Sequence, residues 1–86
     1  KAMEGYYLDG QKHGRWISWY PNGQIEMEGE YRDGKKQGIW IQCNKEGVKV
    51  SEGNFEQGVR HGMWDFWYDN SNPKMRGEYH EGLVHG

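Results

Sequence analysis

The side chains able to carry chemistry in this chain recur at intervals of 24 residues, and that spacing limits what they can do. His13, His61 and His85 occupy equivalent positions, as do Glu4, Glu28 and Glu52. Imidazoles and carboxylates are metal ligands and acid–base groups. If each interval holds two β-strands about 4.8 Å apart, equivalent side chains stand roughly 10 Å from one another. A metal draws its nitrogen ligands in to about 2 Å. No metal site is therefore expected, and the histidines read as turn residues bonded to nearby backbone. His80 lies across the pleat from Tyr79, on the charged face. Glu26, Glu28 and Glu30 alternate along one face, with Arg15 and Arg32 in reach. Acid–base work by paired carboxylates needs environments that push their pKa values apart, and a solvated, repeated face offers none. Cys43 is the single cysteine, which excludes an internal disulfide and a cysteine-based zinc site. No serine sits in an elbow or triad setting. The chain reads as a non-enzyme without cofactor.

Basic residues form a second pattern. Lys12, His13, Lys35, Lys36, Arg60 and His61 fall in or beside the segments running from Gly10 to Gly14, Gly34 to Gly38 and Gly58 to Gly62. Read as long loops along one edge of a sheet, these segments predict a basic rim. Asn22, Glu46, Asp69 and Asn70 mark the opposite edge. Such a rim suits an anionic membrane surface or an acidic partner, at about 1 kcal/mol per basic residue near lipid. Asp9, Asp33 and Glu81 offset part of that field. Nucleic acid is not an expected partner: the net charge is -2 and no binding motif is present.

The elements that must position these groups follow from the repeat. Gly5, Gly29, Gly53 and Gly77 are in step, as are Trp16, Trp40 and Trp64, and Tyr7, Tyr31, Phe55 and Tyr79. A fixed period in this range marks a stacked array whose units share a surface none could bury alone. Within each unit, strand-length runs with alternating aromatics are bounded by Gly, Asn and Asp, the signature of β-hairpins. Asn22-Gly23 predicts a two-residue type I′ turn, and its counterparts Glu46-Gly47 and Asn70-Ser71, weaker matches, are expected to carry a bulge or an extra residue. Closing the Gly10–Gly14 loop symmetrically sets Tyr7 against Trp16, Gly5 against Ser18 and Met3 against Tyr20. The Asn22-Gly23 turn sets Trp16 against Gly29 and Ser18 against Met27. Both registers put the rings on one face, where a one-residue slip would have split them. The expectation is a single-layer, all-β antiparallel meander of about seven strands, elongated, with an aromatic ladder from Tyr7 to Tyr79. Each Trp should lie over the Gly that follows it, Trp40 over Gly53 between Tyr31 and Phe55.

Composition agrees with such a fold. The chain has 86 residues, only 34% of them hydrophobic, yet five Trp, six Tyr and two Phe. Disordered chains are poor in aromatics, so an ordered sheet with a core of rings is the better reading. No apolar run reaches the length of a membrane span and no signal-peptide pattern is seen. The lone cysteine points weakly to a reducing, cytoplasmic location, with a peripheral membrane role if the basic rim binds lipid. The chain starts at Lys1 and stops at Gly86 inside a repeat. It reads as one array over 1–86, with repeats near 5–28, 29–52, 53–76 and a partial 77–86, cut from a longer protein. Its two terminal strands would be open edges, and edge-to-edge self-association is expected.

The face opposite the ladder mixes charges with exposed apolar residues. Tyr6, Ile17, Trp19, Ile41 and Trp67 on that face, with the upper rings Tyr20 and Tyr68, are the expected contacts for a protein or peptide partner.

The unit "GEYRDGKKQGIWIQCNKEG" resembles the MORN repeat in its bacterial variant form: Gly-x-Tyr, an Asp-Gly turn, a His-Gly turn, Trp, an aromatic pair, then Asn-Gly. The first copy, "GYYLDGQKHGRWISWYPNG", follows the pattern nearly throughout. The second has Gln37 for His and Cys43-Asn44 for the aromatic pair, and the third ends "DNSNPK" where Gly is expected. The resemblance implies an elongated β-sheet serving as an interaction module. Some members of the family are proposed to bind phosphoinositides, and some bacterial members are described as antitoxins, which would make a sequestered toxin the partner.

Overall fold

A computed structural model describes residues 3–81 and 83–84, and within them the chain is one antiparallel sheet in meander order. Seven strands are full length: β1 (Met3–Leu8), β2 (Gln11–Trp19), β3 (Ile25–Arg32), β4 (Lys35–Cys43), β5 (Lys49–Glu56), β6 (Val59–Trp67) and β7 (Pro73–His80). A two-residue β8 (Leu83–Val84) pairs with Tyr79 and His80, so part of the β7 edge expected to be open is covered. The sheet fills 38 × 33 × 12 Å, a single-layer slab. His85 lies outside the described residues.

Two kinds of turn alternate: the Gly10–Gly14 loop and the two-residue Asn22-Gly23 turn are not as expected, while the extra residue expected at Glu46-Gly47 and Asn70-Ser71 is present. The expected five-residue Gly10–Gly14 loop is instead a two-residue turn. Asp9 and Gly10 both have positive φ, 52° and 81°, the type I′ condition. Leu8 pairs directly with Gln11, and Tyr7 therefore faces Lys12 rather than Trp16. Asp33-Gly34 and Gln57-Gly58 repeat the arrangement. A bulge then inserts Gly14 and Arg15 in β2 and shifts the register to Met3↔Ser18 and Glu4↔Ile17, two residues from the expected Gly5–Ser18 and Met3–Tyr20 pairs. Because the insertion is two residues long, the alternation of faces survives, and the rings still share one side.

The other turn is one residue longer than Asn22-Gly23 implied. The Gly23 amide donates to the Tyr20 carbonyl at 2.9 Å, and Tyr20 and Gln24 close a three-residue loop of Pro21, Asn22 and Gly23. Only Gly23, with φ 90°, is left-handed there. This is a type I turn followed by a bulge residue. Lys45-Glu46-Gly47 and Asp69-Asn70-Ser71 follow the same path, with Ser71 held at φ 76° where glycine is preferred. A compensating bulge between Ser18 and Trp19 restores the register, so Trp16↔Gly29, Trp40↔Gly53 and Trp64↔Gly77 stand as predicted.

The core is the ladder. Among the described residues, Trp16, Trp40, Trp64 and Tyr79 are its buried apolar residues, and no aliphatic side chain joins them. Edge-to-face contacts link Tyr7, Trp16, Tyr31, Trp40, Phe55 and Trp64 at centroid separations of 5.1–6.3 Å, and Trp64 meets Tyr79 at 6.1 Å. That geometry places the positive edge of one ring on the negative face of the next. Each indole lies over the glycine of the preceding strand, not the following one: Trp16 over Gly5, Trp40 over Gly29, Trp64 over Gly53. The reason is the indole N–H. Trp16 Nε1 donates to the Tyr6 carbonyl, Trp40 to Glu30 and Trp64 to Asn54, each at 2.9–3.0 Å, beside the register break that interrupts the ladder. The indole thus satisfies an acceptor at the bulge.

Candidate functional site

The two-residue turn carries the basic residues to a place the loop reading missed. Lys12, Lys36 and Arg60 sit within β2, β4 and β6, facing Tyr7, Tyr31 and Phe55. They lie on the ladder face, not at a loop rim. Lys12 Nζ is 5.0 Å from the ring centres of both Trp16 and Tyr31. Lys36 Nζ stands 4.9 Å from Trp40 and 5.0 Å from Phe55. The Arg60 guanidinium is 4.7 Å from Trp64 and 5.2 Å from Tyr79, and donates to the Tyr79 hydroxyl at 3.0 Å. All three are half-buried. Cations over ring faces are held by the ring quadrupole, and among the described residues none of the three has a carboxylate partner. Burial lowers the Lys36 ammonium pKa from its ordinary value, and the charges of Arg60 and Lys12 lower it further.

Beside this row of cations runs a groove. A depression of about 360 Å³ is bordered by Met3, Lys12, Ser18, Met27, Lys36 and Trp40. It adjoins a smaller one of about 70 Å³ at Met27, Lys36, Gln42, Ser51 and Arg60. A third, of about 310 Å³, continues past Gln42, Ser51, Arg60 and Phe66 to Tyr20 and Lys74. Neighbouring depressions share lining residues, so together they form one channel crossing the strands. Its floor includes the row Ser18, Met27, Gln42, Ser51 and Phe66, successive cross-strand partners of one another.

The residues expected to bind a partner are divided by the fold. Tyr20 borders the groove, and its hydroxyl donates to the Cys43 carbonyl at 2.7 Å, tying one repeat to the next. Burial raises the Tyr20 pKa, with Glu26 adding to the shift. Tyr68 is 53% exposed at the end of the same face, with Lys74 Nζ 5.7 Å from its ring. Tyr6, 72% exposed, pairs with His13. Ile17 and Ile41 are set between carboxylates, Ile17 paired with Glu4 and Glu28, and Ile41 with Glu28 and Glu52. Arg15–Glu28, Lys49–Glu52 and Arg76–Asp65 ion pairs cross that face. Trp19 is half-buried beside the bulge, and Trp67 is covered by Lys49 at 5.1 Å. The opposite face is thus a checkerboard of charges and apolar groups.

Of the other residues expected on the basic rim, Lys35 stays exposed beside a turn. His13 and His61 are strand residues rather than turn residues. His13 Nδ1 is shut from solvent without a hydrogen-bond partner, and the His61 ring lies 5.9 Å from that of His80. Among the described residues no cluster of His, Cys, Asp or Glu is placed to hold a metal, and no helix is long and apolar enough to cross a membrane. One signal in the sequence could have located the cation row: Asp9-Gly10 and Asp33-Gly34 are themselves strong hairpin dipeptides. Reading them as the turns sets Lys12 and Lys36 opposite Tyr7 and Tyr31.

Residues 12–33 match the family model of the MORN repeat variant. No curated protein matches the chain. The matched stretch spans most of β2, the three-residue turn, β3 and the next Asp residue, a unit that β4–β5 and β6–β7 reproduce with the same turns, bulges and Trp positions. Residues 12–33 are thus similar to a MORN repeat variant, and the later strand pairs repeat the geometry of that matched unit.

Proposed function

We propose that this chain is an interaction module that binds a protein or peptide partner along the groove of its ladder face. MORN repeats are generally non-catalytic repeat modules. The observation that carries the reading is the groove itself, floored by Met27, Ser18 and Phe66 and bordered by three cations that, among the described residues, have no carboxylate partner. Methionine and aromatic surface of this kind adapts to an apolar ligand side chain. The opposite face supports binding less well, because its apolar groups are separated by paired charges and form no continuous patch.

Selection of linear peptides from a random display library against the folded chain tests the reading. Selected peptides should lose binding to Met27→Arg, which fills the groove, and keep it to Ile39→Arg on the other face. The reverse dependence would place the binding surface on the checkerboard face and overturn the proposal.

A further inference from the structure

The cations have a period of their own. Lys12, Lys36 and Arg60 are one repeat apart, two strand spacings, or roughly 9.4–9.8 Å between neighbours along the groove. A ligand that uses all three must present anions at that interval on one side. An extended strand returns to the same side every two residues, about 6.6 Å, and falls out of step at the second cation. An α-helix returns near this distance only after seven residues, about 10.5 Å, a larger mismatch over three sites. A polyproline II chain returns every three residues, about 9.3 Å. The mismatch over three sites is on the order of 1 Å, well within the reach of flexible lysine side chains.

We infer that the groove takes an acidic peptide in the polyproline II conformation, lying across the strands, with an anionic side chain at every third position meeting Lys12, Lys36 and Arg60. This rests on the ladder-face reading above and names its partner class. Polyproline II backbone has no internal hydrogen bonds, and Gln42, exposed beside the groove, supplies a side-chain amide to its carbonyls. The residues between the anions rest on Met27 and Phe66. Carboxylates placed over the row offset the repulsion that Arg60 and Lys12 exert on Lys36, whose charge burial already disfavours. The same cations suit a planar headgroup surface poorly. They are half-buried against the rings, whereas Lys35, the exposed lysine beside them, is at the turn.

The test uses the 86-residue chain and three fluorescein-labelled nonamers of equal composition, three Glu and six Pro. One has Glu at every third position, one at every second, and one has the three Glu contiguous. Fluorescence anisotropy at low salt should give the three-residue period at least tenfold tighter binding than either control. Lys36→Gln should weaken that peptide at least fivefold and reduce the preference among the three. Lys12→Gln serves equally if circular dichroism shows Lys36→Gln unfolded. Equal affinity for all three peptides, or indifference to both substitutions, would overturn the inference. So would binding to anionic phosphatidylserine vesicles with which the favoured peptide does not compete. If display-selected peptides bind through Met27 while all three nonamers fail, the inference falls and the ladder-face reading stands. If no peptide of any kind binds, both fall.

Discussion

Gly29 and Gly77 occupy the same position of the repeat, yet the structure predicts opposite outcomes for replacing them with alanine. A Cβ on Gly29 would lie 2.5 Å from Trp40 Cγ and closer still to Cδ2 and Cε2. The indole, only 5% exposed, would have to lift. Lifting half of a ring that buries about 150–250 Å² loses roughly 2–3 kcal/mol at 25 cal/mol per Å². The Trp40 Nε1 bond to the Glu30 carbonyl, 3.0 Å long, goes with it, at about 1 kcal/mol. Alanine recovers about 0.5–1 kcal/mol over glycine in a strand, leaving Gly29→Ala destabilised by about 2–4 kcal/mol. Among the described residues, a Cβ at Gly77 would meet only Met75 Cε, at 3.7 Å. Gly77→Ala should be neutral or stabilised by up to about 1 kcal/mol. Urea unfolding followed by far-ultraviolet circular dichroism measures both. A double-mutant cycle identifies the cause: in a Trp40→Ala background, itself destabilised by about 3–5 kcal/mol, Gly29→Ala should cease to destabilise. Equal losses at Gly29 and Gly77, or an undiminished Gly29 effect without the ring, would refute the reasoning.

Other consequences can be checked on the same protein. Ser71 holds φ 76°, so Ser71→Gly should stabilise by about 1 kcal/mol and raise Tm; no change would mean the turn relaxes in solution. Because burial and its cationic neighbours lower the Lys36 pKa in the folded state, the unfolded state binds more protons between that value and 10.5, and stability rises with pH across this window. Wild type should therefore gain on Lys36→Met between neutral pH and about pH 10 in paired urea titrations, and a constant difference would contradict the shift. The β1 strand is exposed throughout and forms an open edge, so light scattering over a wide concentration range should show self-association; a strict monomer at millimolar concentration would argue against it.

The face assignment was legible in the sequence because it depends only on parity. Trp16, Tyr31 and Trp40 stay together because the two-residue turn and the two-residue bulge leave the observed pairings an even number of residues from the expected ones. What sits opposite what was not legible, since Gly14 with φ 77° looks in sequence like the end of a loop and acts in structure as a bulge within a strand. That miscount moved Lys12, Lys36 and Arg60 to a rim and hid the groove. The tilt of each indole toward the preceding glycine was equally out of reach, because both Gly5 and Gly29 flank Trp16 in register. Only the acceptor created by the bulge, the Tyr6 carbonyl, decides between them.

The methionine methyl groups test the central claim most directly. Met3, Met27 and Met75 lie on the groove row of the ladder face, while Met63, 51% exposed, pairs with Glu78 on the other. Carbon-13 methyl spectra of the methionine-labelled chain, titrated with a display-selected peptide, should shift Met27 first, with Met3 or Met75, and leave Met63 in place. A shift confined to Met63 would put the partner on the checkerboard face and contradict the account.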